Sequence, residues 1–270
     1  MALNLICETV GSGPPLVVLH GLFGSSGNWR GVARELAATH SVFCVDLRNH
    51  GASPWADSMD YIEMADDVLQ LIERLGLERP TVMGHSMGGK TAMALALRHP
   101  RSVGQLIVVD IAPVAYADTL TPFAEAMRSV NVVAAASRAE VQRRLLDSVA
   151  DRDVVPFLMQ NLVARNSRFD WRVNLTSVSS SVQTLSDFPS QLAGLRFAKP
   201  VRVIAGQQSD YVTDRDGAEF QPMFPETRVE VIEQAGHRVH ADQRDRFFDA
   251  VTRALRPSPS SHLRGAAAAA

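Results

Sequence analysis

Short apolar runs recur along the chain, each followed by a polar or glycine-rich stretch: Leu16–Leu19, Val42–Leu47, Thr81–His85, Leu106–Ile111, Val201–Ala205 and Val229–Glu233. Most are near-continuous in Val, Ile and Leu rather than alternating, the pattern of parallel strands buried on both faces. Helical spacing lies between several of them. Tyr61, Ala65, Val68, Leu69, Ile72 and Leu75 form one stripe, with Gly76 as its stop. Met87 to His99 reads as a second helix ended by Pro100, and Phe247, Phe248, Val251 and Leu255 mark a last one. Strand alternating with helix predicts a mostly parallel, doubly wound α/β sheet.

The alternation fails between Val114 and Leu195. Pro122–Val130, Arg138–Val149 and Val154–Ala164 read as helices and no strand stands out, which predicts an all-helical insertion lying as a cap over the strand ends. The expected organisation is a core of residues 1–113 and 196–256, a helical cap of residues 114–195, and a Pro/Ser/Ala-rich tail of residues 257–270 outside the packed core.

Composition narrows the function classes. The 270 residues are 46% hydrophobic and 21% charged, with a net charge of −2. Nucleic-acid binding needs a concentrated positive surface, and none is visible. Cys7 and Cys44 form no metal-ligand pattern, and Cys44 inside an apolar run reads as a small buried hydrophobe. The N-terminus lacks the basic start and apolar stretch of a signal peptide, and no apolar run is long enough for a membrane span. A cytoplasmic protein without cofactor or metal is expected, its oligomeric state open.

Gly84-His85-Ser86-Met87-Gly88 supplies the candidate chemistry. A serine presented at the end of a sheet needs a sharp strand-to-helix turn, and glycines two residues to either side remove the clashing Cβ atoms. The helix that follows aims its first N–H groups at developing negative charge. The motif alone is a weak signal; the apolar strand before it and the helix after it strengthen it. His20-Gly21-Leu22-Phe23-Gly24-Ser25 follows another strand and can turn a second backbone N–H toward the serine. A tetrahedral intermediate wants two such donors. Met87 and Leu22 are the candidates, with Phe23 as the alternative to Leu22. Among eight histidines, His237 stands out because it follows a late strand in Gln234-Ala235-Gly236-His237. His20, His50, His85 and His240 read as structural hydrogen-bonding residues.

Read together, these pieces resemble the α/β-hydrolase family of YbfF-type bacterial esterases and their eukaryotic abhydrolase-domain 11 relatives. The resemblance rests on His20-Gly-Leu-Phe-Gly-Ser25, Asp46-Leu-Arg-Asn-His-Gly51 with Ser53, and Gly84-His-Ser-Met-Gly-Gly-Lys90. It continues through Asp110-Ile-Ala-Pro-Val114, Trp171-Arg-Val-Asn174, and Gly236-His237 with His240. It implies an α/β-hydrolase fold with the cap inserted after the sixth strand. It also implies a small-molecule acyl ester or thioester as substrate, Ser86 as nucleophile and His237 as base. Phe23, His85 and Ser209 are the candidate substrate contacts.

The triad acid has two candidates. Much of the wider fold carries it three residues after a glycine ending a late strand; from Gly206 that position is Ser209, and Asp210 comes one residue late. The family resembled here implies Asp110, one strand earlier. The same triad could also serve C–C bond hydrolysis, perhydrolysis or a lyase step, and a hydrolase scaffold can serve as a ligand-binding receptor.

Overall fold

The computed structural model describes residues 1–166, 168–213 and 216–256; the expected tail of residues 257–270 lies outside the described residues. In chain order the core opens with β1 (Ile6–Val10), β2 (Pro15–Leu19), α1 (Arg30–Leu36), β3 (Ser41–Asp46), α2 (Tyr61–Arg74), β4 (Thr81–His85), α3 (Met87–Arg98) and β5 (Gln105–Val109). An insertion follows, with α4 (Thr121–Ser129), α5 (Arg138–Ser148), α6 (Val155–Leu158), β6 (Leu162–Arg165), β7 (Arg168–Trp171) and α7 (Leu175–Ser186). The core resumes with β8 (Val201–Gly206), α8 (Asp216–Phe220), β9 (Thr227–Ile232), α9 (Val239–Asp242) and α10 (Arg244–Leu255).

Seven strands form one sheet in the order β1-β3-β2-β4-β5-β8-β9. All neighbours are parallel except β1, which runs antiparallel along the β3 edge. The continuous apolar runs are explained by burial on both faces. Val17, Val82, Leu106 and Val108 pack into the core on the side of α2 and α3. Leu16, Val18, Met83, Ile107 and Val109 pack with residues of α1 and α10 on the other. Alternate residues of one strand thus fill two different cores. Cys44 belongs to the second core, and burial pushes its thiol up to about 12. Asp60 caps α2 by accepting from Glu63 N, and Gly76 ends that helix at φ +62°, where glycine carries no Cβ penalty.

Three details differ from the sequence expectation. The insertion follows the fifth strand rather than the sixth, because only β1 to β5 precede it. β1 escapes a periodicity reading because it is an edge strand, largely exposed, with a Cys-Glu-Thr centre. The insertion is not all helical: Val154–Ala164 breaks into the short α6, a 3-10 turn and β6, which pairs antiparallel with β7. All four residues of β6 are paired across that ladder, with Leu162 and Trp171 buried, Val163 half-buried and Ala164 exposed, so two strands satisfy the backbone where a helix would have buried little. Among the described residues no helix is long and apolar enough to cross a membrane.

Candidate active site

Ser86 stands between β4 and α3 with φ 52° and ψ −120°. A non-glycine residue there is strained, and the neighbours explain how the turn is tolerated. A Cβ on Gly84 would lie 2.1 Å from the Gly88 carbonyl oxygen, and one on Gly88 would lie 2.6 Å from the Leu19 and His20 carbonyl oxygens. The Ser86 N–H donates to Val109 O at 3.1 Å, and Ser86 O accepts from Gly89 and Lys90 at the start of α3. Met87, first residue of that helix, carries an amide without an intrahelical acceptor.

His237, after β9, is 30% exposed in its side chain, and its Nδ1–H donates to Asp110 Oδ2 at 2.8 Å. Asp110 is fully buried at the end of β5, itself with φ 52°. Its Oδ1 accepts from Gly206 N at 2.8 Å, and its Oδ2 also accepts from the Ser209 hydroxyl. The carboxylate is therefore fixed from β8 as well as from the histidine loop. Asp210, the other candidate acid, is exposed. Ser209, a candidate substrate contact, donates its hydroxyl to Asp110, whereas Tyr211 lines the cavity. The Tyr211 ring stacks on His237 with centroids 4.0 Å apart, a contact no motif announced.

The loop after β2 turns sharply, with Gly24 N donating to Gly21 O at 2.9 Å and Phe23 at φ 59°. The Phe23 N–H donates to His50 Nε2 at 3.2 Å, so it is occupied. Leu22 N remains the candidate donor from this loop. Asp46 ties the loop down by accepting from Ser26 N at 2.6 Å and Ala52 N at 2.8 Å. A Cβ on Gly51 would overlap the Asp46 carboxyl group at 2.1 Å, which accounts for the glycine in that motif.

The surrounding histidines are structural and neutral. His20 Nδ1–H donates to Gly21 O and its Nε2 accepts from Leu47 N; His50 Nδ1–H donates to Arg48 O. Burial lowers His20, and burial together with His20 pushes His50 down to about 3. His85 Nε2–H donates to His237 O at 2.8 Å, so it holds the base's loop while lining the cavity, and burial keeps it well below its usual range. His240 stacks on Trp29 at 4.5 Å and is pushed down to about 4 by burial and then by His237.

Ser86 and His237 open on one cavity of about 650 Å³, with Leu22, Phe23, Trp29 and His85 on the core side. Leu120, Phe123, Val154 and Phe157 of the insertion form the facing wall. Polar residues unassigned in the sequence reading lock the two together. Asn161 Nδ2 donates to Phe23 O at 2.8 Å, Arg172 Nη2 to Ser25 Oγ at 2.9 Å, and Asn174 Nδ2 to Asn49 Oδ1 at 3.0 Å. Lys90, buried beneath the site, donates from Nζ to Ser186 O at 3.0 Å and Asp187 O at 2.8 Å. Burial pulls its ammonium down to about 7. The only advance signal for Arg172, Asn174 and Lys90 was their presence in the family-like motifs, and Asn161 had none; their partners lie far away in sequence.

A serine hydroxyl at a strained elbow, an imidazole oriented by a buried carboxylate, and backbone amides at a helix start together define a nucleophilic hydrolase site. Comparison with known proteins agrees. The family model for the alpha/beta hydrolase fold matches residues 14–243. The chain is 40% identical over 247 residues to the sn-1-specific diacylglycerol lipase ABHD11 of Xenopus laevis, covering 88% of this chain and 78% of that one. It is 32% identical over 265 residues to the esterase YbfF of Escherichia coli strain K12, covering 94% and 99%. A solved marine microorganism esterase superposes with a TM-score of 0.90 at 34% identity, covering 94% of this chain and all of that one. The chain belongs to the α/β hydrolase family, in the group that includes these esterases.

Proposed function

We propose that the chain, a carboxylic ester hydrolase, cleaves small-molecule carboxylic esters or acyl thioesters through an acyl-enzyme on Ser86. Ser86 Oγ attacks the acyl carbonyl while His237 Nε2 takes its proton. The amides of Leu22 and Met87 receive the oxyanion. His237 then protonates the leaving oxygen or sulfur as that bond breaks. Water repeats the sequence and frees the acid. Asp110 keeps His237 in the Nδ1–H tautomer, with Nε2 left to accept the proton, and stabilises the imidazolium that forms. The observation that carries this reading is the 2.8 Å bond from His237 Nδ1 to fully buried Asp110, on the cavity that Ser86 also lines. The committed Phe23 amide favours Leu22 as the second oxyanion donor. Residues 114–195 act as the cap, supplying the wall opposite the nucleophile and excluding bulk water.

A fluorophosphonate probe followed by peptide mapping tests the reading, in parallel with turnover of simple esters. The expected outcome is a single adduct on Ser86 and loss of ester turnover in proportion to labelling. Absence of both labelling and turnover would instead fit a receptor on a hydrolase scaffold.

A further inference from the structure

A second, much smaller pocket also borders Ser86. It has a volume of about 30 Å³ and is lined by Leu22, Met87, Tyr61, Lys90, Ile111 and Leu185. Both candidate oxyanion residues border it, Met87 on this pocket alone, while Leu22, Ser86, Thr119, Leu120 and Tyr211 are shared with the large cavity. His237 borders only the large cavity. Two of its polar groups are engaged in fixed hydrogen bonds: Tyr61 Oη–H donates to Leu185 O at 2.5 Å, and Lys90 Nζ donates to Ser186 O and Asp187 O.

The base's position decides which half of the substrate goes where. The proton from Ser86 must end on the leaving oxygen or sulfur, so the leaving group has to lie on the His237 side. With the carbonyl oxygen on the amides, the acyl substituent then points away from His237, toward the small pocket. At about 30 Å³ it offers about one-twentieth of the room of the large cavity, at about 650 Å³, so of the two it suits only a short group.

We propose that this protein transfers a short, uncharged acyl group to Ser86 from a bulky, largely apolar alcohol or thiol that occupies the large cavity. The inference rests on the acyl-enzyme reading above and specifies its substrate class. In the first step the Ser86 Oγ–acyl bond forms and the acyl–oxygen or acyl–sulfur bond breaks. Its electron pair leaves with the alcohol or thiol, which takes the proton relayed by His237. In the second, water oxygen bonds to the acyl carbon and the Ser86 ester bond breaks. The water proton returns to Ser86 Oγ through His237, releasing a short carboxylic acid.

Two substrate series on the full-length protein test this. One keeps p-nitrophenol as leaving group and lengthens the acyl chain from acetyl through butyryl and octanoyl to dodecanoyl. The other keeps acetyl and enlarges the alcohol from methyl to benzyl to naphthylmethyl. Acetyl should exceed dodecanoyl by about 100-fold in kcat/KM, since even single methylenes misfitted to a pocket cost about tenfold or more. Larger alcohols should be favoured in the second series. Leu185→Ala should move the acyl optimum toward octanoyl, with the milder Ile111→Val as a second variant if the first does not fold. Phe157→Ala, on the large cavity, should leave the acyl ranking unchanged and alter the alcohol ranking. Wild-type preference for dodecanoyl over acetyl would overturn the inference while leaving the esterase reading standing. Fluorophosphonate labelling of Ser86 without hydrolysis of any ester would overturn both.

Discussion

The two walls of the large cavity are built on different principles. The core wall is made of strand ends and tight turns in which Asp110, His20, His50 and His85 are each held by named hydrogen bonds. Ser86, Phe23 and Asp110 all sit at positive φ, and their turns are pinned by close backbone contacts or by buried histidines. The facing wall comes from short helices and offers half-buried Leu120, Phe123, Val154 and Phe157. Strain and polar saturation fix atoms to within the tolerance that proton transfer needs. Apolar packing fixes only volume and shape. On the proposed mechanism chemistry depends on the core wall and selectivity on the insertion, and mutations should separate them.

The largest effect belongs at the nucleophile: Ser86→Ala should lower kcat by about four to six orders of magnitude with the fold retained, measured by steady-state kinetics beside circular dichroism. Next is the acid. Asp110→Asn removes the acceptor that selects the productive tautomer of His237, with an expected loss of about 10⁴ in kcat. Asp210→Asn, at an exposed position, should stay within about tenfold of wild type. The reverse ranking would show that the acid acts from the later strand.

The saturated core wall also makes a pH prediction. His50 is fully buried and neutral, with a folded-state value of about 3, below the reference histidine in an unfolded chain. Between those values the unfolded chain binds more protons, so stability falls as pH falls. From about pH 7 to about pH 5 His50 alone should cost about 2 kcal/mol, and His240, pushed down to about 4, should add to it. Thermal denaturation across that range should show Tm dropping; a Tm independent of pH would mean these imidazoles are not held neutral.

Smaller effects grade the support of the site. Ser209→Ala deletes one hydrogen bond to the Asp110 carboxylate and should lower kcat by about tenfold with KM nearly unchanged. Phe157→Ala on the insertion wall should instead raise KM for bulky substrates by a few-fold to about tenfold, with a smaller change in kcat than at Ser209.

The same contrast governs what was legible in the sequence. Buried parallel strands write themselves as apolar runs, and the elbow, the glycine-rich loop and Gly236-His237 are local patterns, so the core wall and its candidate residues were visible before any coordinates. The assignment between Asp110 and Asp210 could not be made from spacing, because it depends on which strand end lies beneath His237. Ser209 occupied the position expected of an acid in much of the wider fold, yet its hydroxyl supports one from another strand. The insertion was legible only as a break in alternation. Its β6–β7 pair is too short for periodicity, and its anchors, Asn161, Arg172 and Asn174, gain meaning from partners more than 100 residues away. Tyr211, stacked on the base, lies in a stretch with no pattern at all.

The central claim is a covalent acyl group on Ser86, and the most direct measurement is rapid acid quench during ester turnover followed by peptide mass spectrometry. The account predicts a transient mass increase equal to the acyl group, confined to the peptide containing Ser86. It should accumulate in His237→Ala under a reactive ester, because deacylation then lacks its base. An acyl adduct on another residue, or burst kinetics with no adduct on Ser86, would contradict it.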